Sequence, residues 1–178
     1  SKMHYECKRI DFPDISGPLV NGTSNMNISW AELVWSAITV GRMNQHDVIR
    51  HGRFSELEAM YRCIMLYANL QQSNQQITQT SAFLDLDPSE KGAISFFVGQ
   101  VIAKHISSQL FHAPWLMHLD RYDSIFNIQR WPGKAKPDFI GRTAQDDWIV
   151  VEAKGRSNYT TDALAQYAKG QTRHIRYI

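Results

Sequence analysis

The run Pro137-Asp138-Phe139-Ile140-Gly141-Arg142-Thr143, followed after a short polar turn by Trp148-Ile149-Val150-Val151-Glu152-Ala153-Lys154-Gly155, constrains this chain more than any other stretch. Both runs have the composition of strands and Gln145-Asp146-Asp147 that of a turn, so the spacing predicts a β-hairpin. Side chains alternate along a strand, which puts Trp148, Val150, Glu152 and Lys154 on one face and Ile149, Val151 and Ala153 on the other. A strand this rich in Val and Ile is expected to be buried on both faces, where a charged pair is costly unless a metal, a ligand or mutual pairing compensates it. Thirteen residues separate Asp138 from Glu152, and an antiparallel return brings the two carboxylates together. Carboxylates a few ångströms apart repel, and a hard divalent cation with oxygen ligands, Mg2+ or Mn2+, relieves that repulsion. Lys154, two residues on along the same face, is then placed to orient a water or to stabilise charge on a phosphate oxygen.

Pro137-Asp138 followed by Glu152-Ala153-Lys154 resembles the PD-(D/E)XK motif of the restriction-endonuclease-like phosphodiesterases, and the apolar run before Glu152 resembles that family's third strand. The resemblance covers roughly Asp87 to the end of the chain. It implies an α/β fold with a restriction-endonuclease-like core, in which helices flank a mixed central sheet. It also implies metal-dependent hydrolysis of nucleic-acid phosphodiesters, in DNA rather than RNA. Asp138 and Glu152, with the carbonyl of Ala153 and Glu90 from the preceding helix, are the implied metal ligands. Asp138, Glu152 and Lys154 are the implied catalytic set, and Gln166 or Gln171 on the following helix is implied to hold the attacking water or the substrate. The family core runs helix, three-stranded meander, helix and fourth strand, yet the sequence stops at Arg173-His174-Ile175-Arg176-Tyr177-Ile178, where that fourth strand is due. Either those residues form a short strand, or the chain is a fragment, or a partner supplies the strand. An unfinished sheet edge invites pairing, so a homo-oligomer or a partner subunit is expected.

Charge distribution agrees with a polyanionic partner. The net charge is only +2, but Arg121 to Ile178 holds ten Lys or Arg against six Asp or Glu. The excess surrounds the motif, in Arg130, Lys134, Lys136, Arg142, Arg156, Lys169, Arg173 and Arg176. Such a surround suits nucleic acid approaching a carboxylate cluster, with Arg142 and Arg156 as candidate substrate contacts. A nucleic-acid-binding or assembly module that keeps the fold without turnover is the alternative reading. A glycosidase with Asp138 and Glu152 as acid and base leaves Lys154 and the basic residues without a task. At 178 residues, 43% hydrophobic and 20% charged, the composition is that of a globular protein large enough for a real core. No apolar run reaches the roughly 18 residues of a membrane span, and no signal peptide opens the sequence. Cys7 and Cys63 are too few and too isolated for a disulfide framework or zinc site, so a reducing cytoplasm is expected.

In chain order, residues 1–86 are expected to form a helical subdomain and 87–178 the nuclease-like core. Ser1 to Thr23, with Gly17, Gly22, Pro13 and Pro18, reads as an irregular arm. Ser29-Trp30-Ala31-Glu32 has the form of a capping box opening a helix to about Val40, and Asn44 to Arg50 reads as a short second helix. Ser55-Glu56-Leu57-Glu58 repeats the capping form ahead of an inward stripe of Leu57, Met60, Tyr61, Ile64, Met65 and Ala68, with Gln71 to Gln76 as a polar loop. His46 and His51 read as ordinary histidines. Asp87-Pro88-Ser89-Glu90 opens the next helix, whose stripe of Ile94, Phe97, Val98, Val101, Ile102, His105 and Ile106 is expected to include Glu90. Trp115 to Leu119 reads as the first strand of the core sheet, with His118 either a core histidine or a contact to phosphate or base. Thr160 or Thr161 is expected to cap the last helix.

Overall fold

The computed structural model describes residues 2–9, 21–130, 136–156, 166–167, 170–172 and 175–177. The protein is a mixed α/β structure assembled on one long helix, α5 (Pro88–Leu110). Asp87 starts it by accepting from the Ser89 and Glu90 amides, Glu90 returns a carboxylate to the Asp87 amide, and Pro88 occupies the first turn, where no amide is required. Beyond α5 come β5 (Leu116–His118), α6 (Leu119–Phe126), β6 (Gln129–Arg130), β7 (Phe139–Arg142), β8 (Trp148–Val151) and β9 (Ile175–Tyr177). Strands β5, β7 and β8 form an antiparallel meander in that order. Strand β9 pairs with β6 in a separate two-stranded sheet, so the expected short terminal strand exists but does not extend the meander. Strand β7 is the buried one, with Phe139, Ile140 and Gly141 inside, whereas every residue of β8 is half-buried. The expectation that β8 is buried on both faces is therefore corrected: among the described residues it is an edge strand of its sheet, with no strand paired on its far side.

The region before α5 contains α1 (Trp30–Thr39), α2 (Gln45–Ile49), α3 (Arg53–Asn69) and α4 (Ser81–Asp85), together with β1 (Lys2–Arg9), β2 (Gly22–Ser29), β3 (Leu70–Ser73) and β4 (Gln76–Gln79). The expectation of an all-helical region is corrected by these four strands, which form one sheet in the order β2-β1-β4-β3 with a parallel β1–β4 pair. Mixed pairing thus occurs here, while the β5–β7–β8 meander is antiparallel throughout. Gly17, Pro13 and Pro18 fall in the connection between β1 and β2, within residues 10–20, which lie outside the described residues. The expected polar loop is a two-residue hairpin, with Asn74 and Gln75 both at positive φ (48° and 63°), the geometry that suits the twist of paired strands.

The capping box at Ser29 and Glu32 opens α1 as expected, and Asn44 caps α2 through the Asp47 amide. Helix α3 begins earlier than expected, at Arg53 behind Gly52, and Ser55 instead accepts from the His51 amide. Its stripe is also turned outward: Met60, Tyr61 and Ile64 are 58%, 63% and 62% exposed. Arg62 sets this rotation by donating to the carbonyls of Ala37 and Val40 at the end of α1 while ion-paired with Glu58. Cations are favoured at a helix C-terminus, so α3 presents Arg62 and Leu66 to α1 and leaves the apolar residues outside.

One core joins the two regions. Met3, Ile28, Leu33, Ala37, Leu66, Val101, Leu116, Phe139 and Ala153 belong to a single cluster drawn from both sides of residue 86. A smaller cluster of Met117, Leu119, Tyr122, Ile128 and Ile140 lies between the meander and α6. None of the described helices is long and apolar enough to cross a membrane.

Lys104 of α5 is 2% exposed, and its ammonium donates to Ser108 Oγ at 2.6 Å. Burial pushes its pKa down from 10.5 to about 8. The unfolded chain therefore holds the proton more tightly, and stability rises with pH between about 8 and 10.5. Lys104→Met is expected to stabilise the fold at pH 7 by on the order of 2 kcal/mol, raising Tm by several degrees. Thermal unfolding followed by circular dichroism should show that advantage shrinking as pH approaches 10.

Candidate active site

The hairpin register decides which side chains meet. Phe139 pairs with Val151 and Ile140 with Val150, so one step outward Asp138 stands opposite Glu152. At that step backbone pairing gives way to side chains. Glu152 Oε2 accepts from the Asp138 amide at 3.1 Å, and Asp138 Oδ2 accepts from the Ala153 amide at 2.9 Å. Each carboxylate thus satisfies a backbone donor on the other strand, where an unpaired buried amide would be costly. Pro137, buried just before Asp138, has no amide to satisfy at this strand end. The remaining oxygen of Glu152, Oε1, is ion-paired with the Lys154 ammonium. The Glu152 side chain is 3% exposed and that of Lys154 33%, so the acid is desolvated while its partner reaches solvent. This pairing and the Asp138 amide offset the burial of the Glu152 charge. Asp138 Oδ1 has no hydrogen-bond partner among the described residues.

Two glycines bring this strand end against α5. A Cβ on Gly155 would overlap the carbonyl oxygen of Ser95, and one on Gly99 would lie 2.5 Å from Gly155 Cα. The backbone after Lys154 therefore lies directly on the helix, and any side chain at either glycine separates them. On the other side, Leu119 donates its amide to the Asp138 carbonyl at 3.0 Å, and the His118 ring stacks on Phe139 with centroids 4.7 Å apart. His118 also fills the space beside Gly41, which has φ of 80° and where a Cβ would collide with the imidazole. Burial and the Arg62 cation hold the His118 pKa below the usual histidine value, against the opposing pull of Asp138.

Open space flanks the carboxylates. A cavity of about 340 Å3 lies between α5 and the segment Glu152 to Arg156. Another, of about 400 Å3, is lined by Gln100, His118, Lys136 and Asp138. A chain of acceptor oxygens with solvent-reaching cations beside it can bind a hard cation or a phosphate, and this geometry brings Asp138, Glu152, Ala153 and Lys154 together as the motif spacing predicts.

Other expected site residues stand elsewhere. Glu90 is exposed and engaged in the capping box of α5, so its expected place on the inward stripe is corrected. Among the described residues no group of three or more His, Cys, Asp or Glu side chains is arranged to hold an ion, so Glu90 does not join Asp138 and Glu152. Arg142 sits at the turn end of β7, ion-paired with Asp146 at 3.2 Å and 5.7 Å from the Trp148 ring centroid. Four residues of strand, about 13 Å, separate it from Asp138. Arg156 is exposed and lines the cavity shared with Glu152 and Lys154. Gln166 is exposed, Gln171 is buried with Oε1 unsatisfied among the described residues, and neither lines the cavities beside the carboxylates. Lys134, Lys169, Arg173, Thr160 and Thr161 lie outside the described residues. Gln100 is the neighbour of Asp138 that sequence reasoning passed over, while His118, weighed there as a core histidine or a substrate contact, lines the same cavity as Asp138. The pairing of His118 with Phe139 follows from tertiary register, which spacing along the chain does not reveal.

Gly99→Ala and Gly155→Ala test the backbone contact. Each is expected to destabilise by roughly 1–3 kcal/mol through overpacking, with Gly155→Ala the larger because its Cβ meets a carbonyl. Urea denaturation of the two variants beside Gly92→Ala, where added bulk meets nothing within 4 Å, would measure the difference. No protein-family model, curated protein or solved structure matches the chain.

Proposed function

We propose that the protein is a metal-dependent nuclease of PD-(D/E)XK type, hydrolysing phosphodiesters in nucleic acid. The observation that carries this reading is the meeting of Asp138, Glu152 and Lys154 at one strand end through hydrogen bonds and an ion pair. The order of helix α5 followed by the meander β5, β7 and β8 supports a restriction-endonuclease-like core. The donor set fits Mg2+ or Mn2+: the carboxylates of Asp138 and Glu152 and the carbonyl of Ala153 are hard oxygen ligands, and Asp138 Oδ1 is uncommitted among the described residues. Such a cation, when bound, supplies a water of lowered pKa and neutralises charge at the phosphoryl group.

The chain's own groups have distinct tasks. The Ala153 amide fixes the orientation of Asp138, and the Asp138 amide fixes that of Glu152. Lys154, released from Glu152, contacts the scissile phosphate with its ammonium and stabilises the charge that accumulates there. Arg156 and Lys136, exposed beside the two cavities, attract the polyanionic backbone. DNA is preferred to RNA by resemblance to the family alone. The outer edge of β8, unpaired among the described residues, supports pairing with a second chain. Free Cys7 and Cys63 suit a reducing compartment such as the cytoplasm.

Cleavage of supercoiled plasmid, linear duplex, single-stranded DNA and RNA in Mg2+ or Mn2+ tests the proposal. Wild type is expected to cut, and Glu152→Gln and Lys154→Met to lose at least ~100-fold in rate while keeping native circular dichroism. Salt-sensitive DNA retention without cutting would instead establish the binding module.

A further inference from the structure

A cavity of about 610 Å3 opens at the turn end of the hairpin, and the acidic pair is not part of its lining. Its volume falls in the range typical of small-molecule sites, roughly 300–1,000 Å3. The wall is aromatic: Trp35 of α1, Trp115 ahead of β5, Phe126 of α6 and Trp148 of β8 line it. Trp35 meets Trp115 edge to face with centroids 6.4 Å apart, and Phe126 meets Trp148 in the same manner at 5.1 Å. These pairs hold the rings in fixed orientation and leave faces for a planar guest.

Set in this wall is the desolvated cation of Lys104. Its ammonium has three donors, and among the described residues it uses one, to Ser108 Oγ, whose own proton goes to the Ala113 carbonyl. None of the described Asp or Glu side chains is ion-paired with Lys104, and none lines the cavity. The other ionisable lining groups are His112 and Arg142, both exposed, and Arg142 is ion-paired with Asp146, so Lys104 is a buried positive charge without a counter-charge among the described residues. A buried cation with two open donors favours a guest that brings one negative charge and acceptor oxygens. A phosphate dianion would leave surplus charge opposite a single ammonium in a low-dielectric site, whereas a carboxylate matches it.

We propose that this cavity is a binding site for a planar aromatic carboxylate, with the ring system held among Trp35, Trp115, Phe126 and Trp148 and the acid group on the Lys104 ammonium. The site is separate from the Asp138–Glu152 pair and stands whether or not the protein is a nuclease.

Calorimetric titration of the wild-type chain with 2-naphthoate and with naphthalene-2-carboxamide isolates the charge at nearly constant shape. The carboxylate is expected to bind at least tenfold more tightly than the carboxamide. In Lys104→Met that preference should vanish, while carboxamide affinity stays within about twofold of wild type. Equal affinity of the wild type for the two compounds, absence of heat at millimolar concentration, or a carboxylate preference that survives Lys104→Met would each overturn the proposal. The wild-type comparison needs no variant, so a folding defect in Lys104→Met could not protect it.

Discussion

Where the hairpin of β7 and β8 ends, two strands continue to hold each other with side chains in place of backbone. Glu152 reaches the Asp138 amide and Asp138 reaches the Ala153 amide, and this crossed pair fixes both carboxylates relative to the sheet. The arrangement is self-consistent only in one register. A slip of a single residue would turn Glu152 and Lys154 to the opposite face and bring Val151 and Ala153 into their place. The hydrophobic core enforces the register, because Phe139 and Ala153 belong to the large cluster while Ile140 belongs to the smaller one across the sheet. Packing on the two faces therefore determines where the charges meet.

What the sequence made legible was local and strongly marked. Alternation placed Asp138, Glu152 and Lys154 together, and side-chain caps at Ser29, Asn44 and Asp87 located three helix starts. The misreadings share a different cause. Glycine and proline between β1 and β2 obscured two strands whose pairing partner lies about twenty residues away, a non-local choice that no window reveals. Asn74 and Gln75 make a tight turn without the glycine that ordinarily signals one. Along α3 the apolar period is helical as expected but faces outward, since Arg62 meets carbonyls on α1 that the helix itself does not announce. Glu90 satisfied its own helix terminus instead of the carboxylate pair, a competition between local and long-range partners that the local one won.

Helix α5 explains why the division of the chain near residue 86 is not a division of the core. Its residues pack on α1, which belongs to the first region, and its Val101 shares one buried cluster with Leu116 and Phe139 of the meander, which belongs to the second. Placing a lysine in such an element is unfavourable for folding. That Lys104 is nevertheless enclosed with a neutral hydroxyl as its partner among the described residues gives the interior a directional electric field, where a leucine or methionine would have left it neutral.

The contact of Gly155 with Ser95 and Gly99 contains no side chain from either glycine. Lys154 is thereby positioned by main chain resting on main chain, a joint with no rotamers to adjust and no volume to trade. Neighbouring apolar residues can drift in sequence as long as the core stays filled, but this joint can be preserved only by leaving it empty. A descendant of this chain would therefore be traced by what it lacks at two distant positions as much as by the charges it keeps.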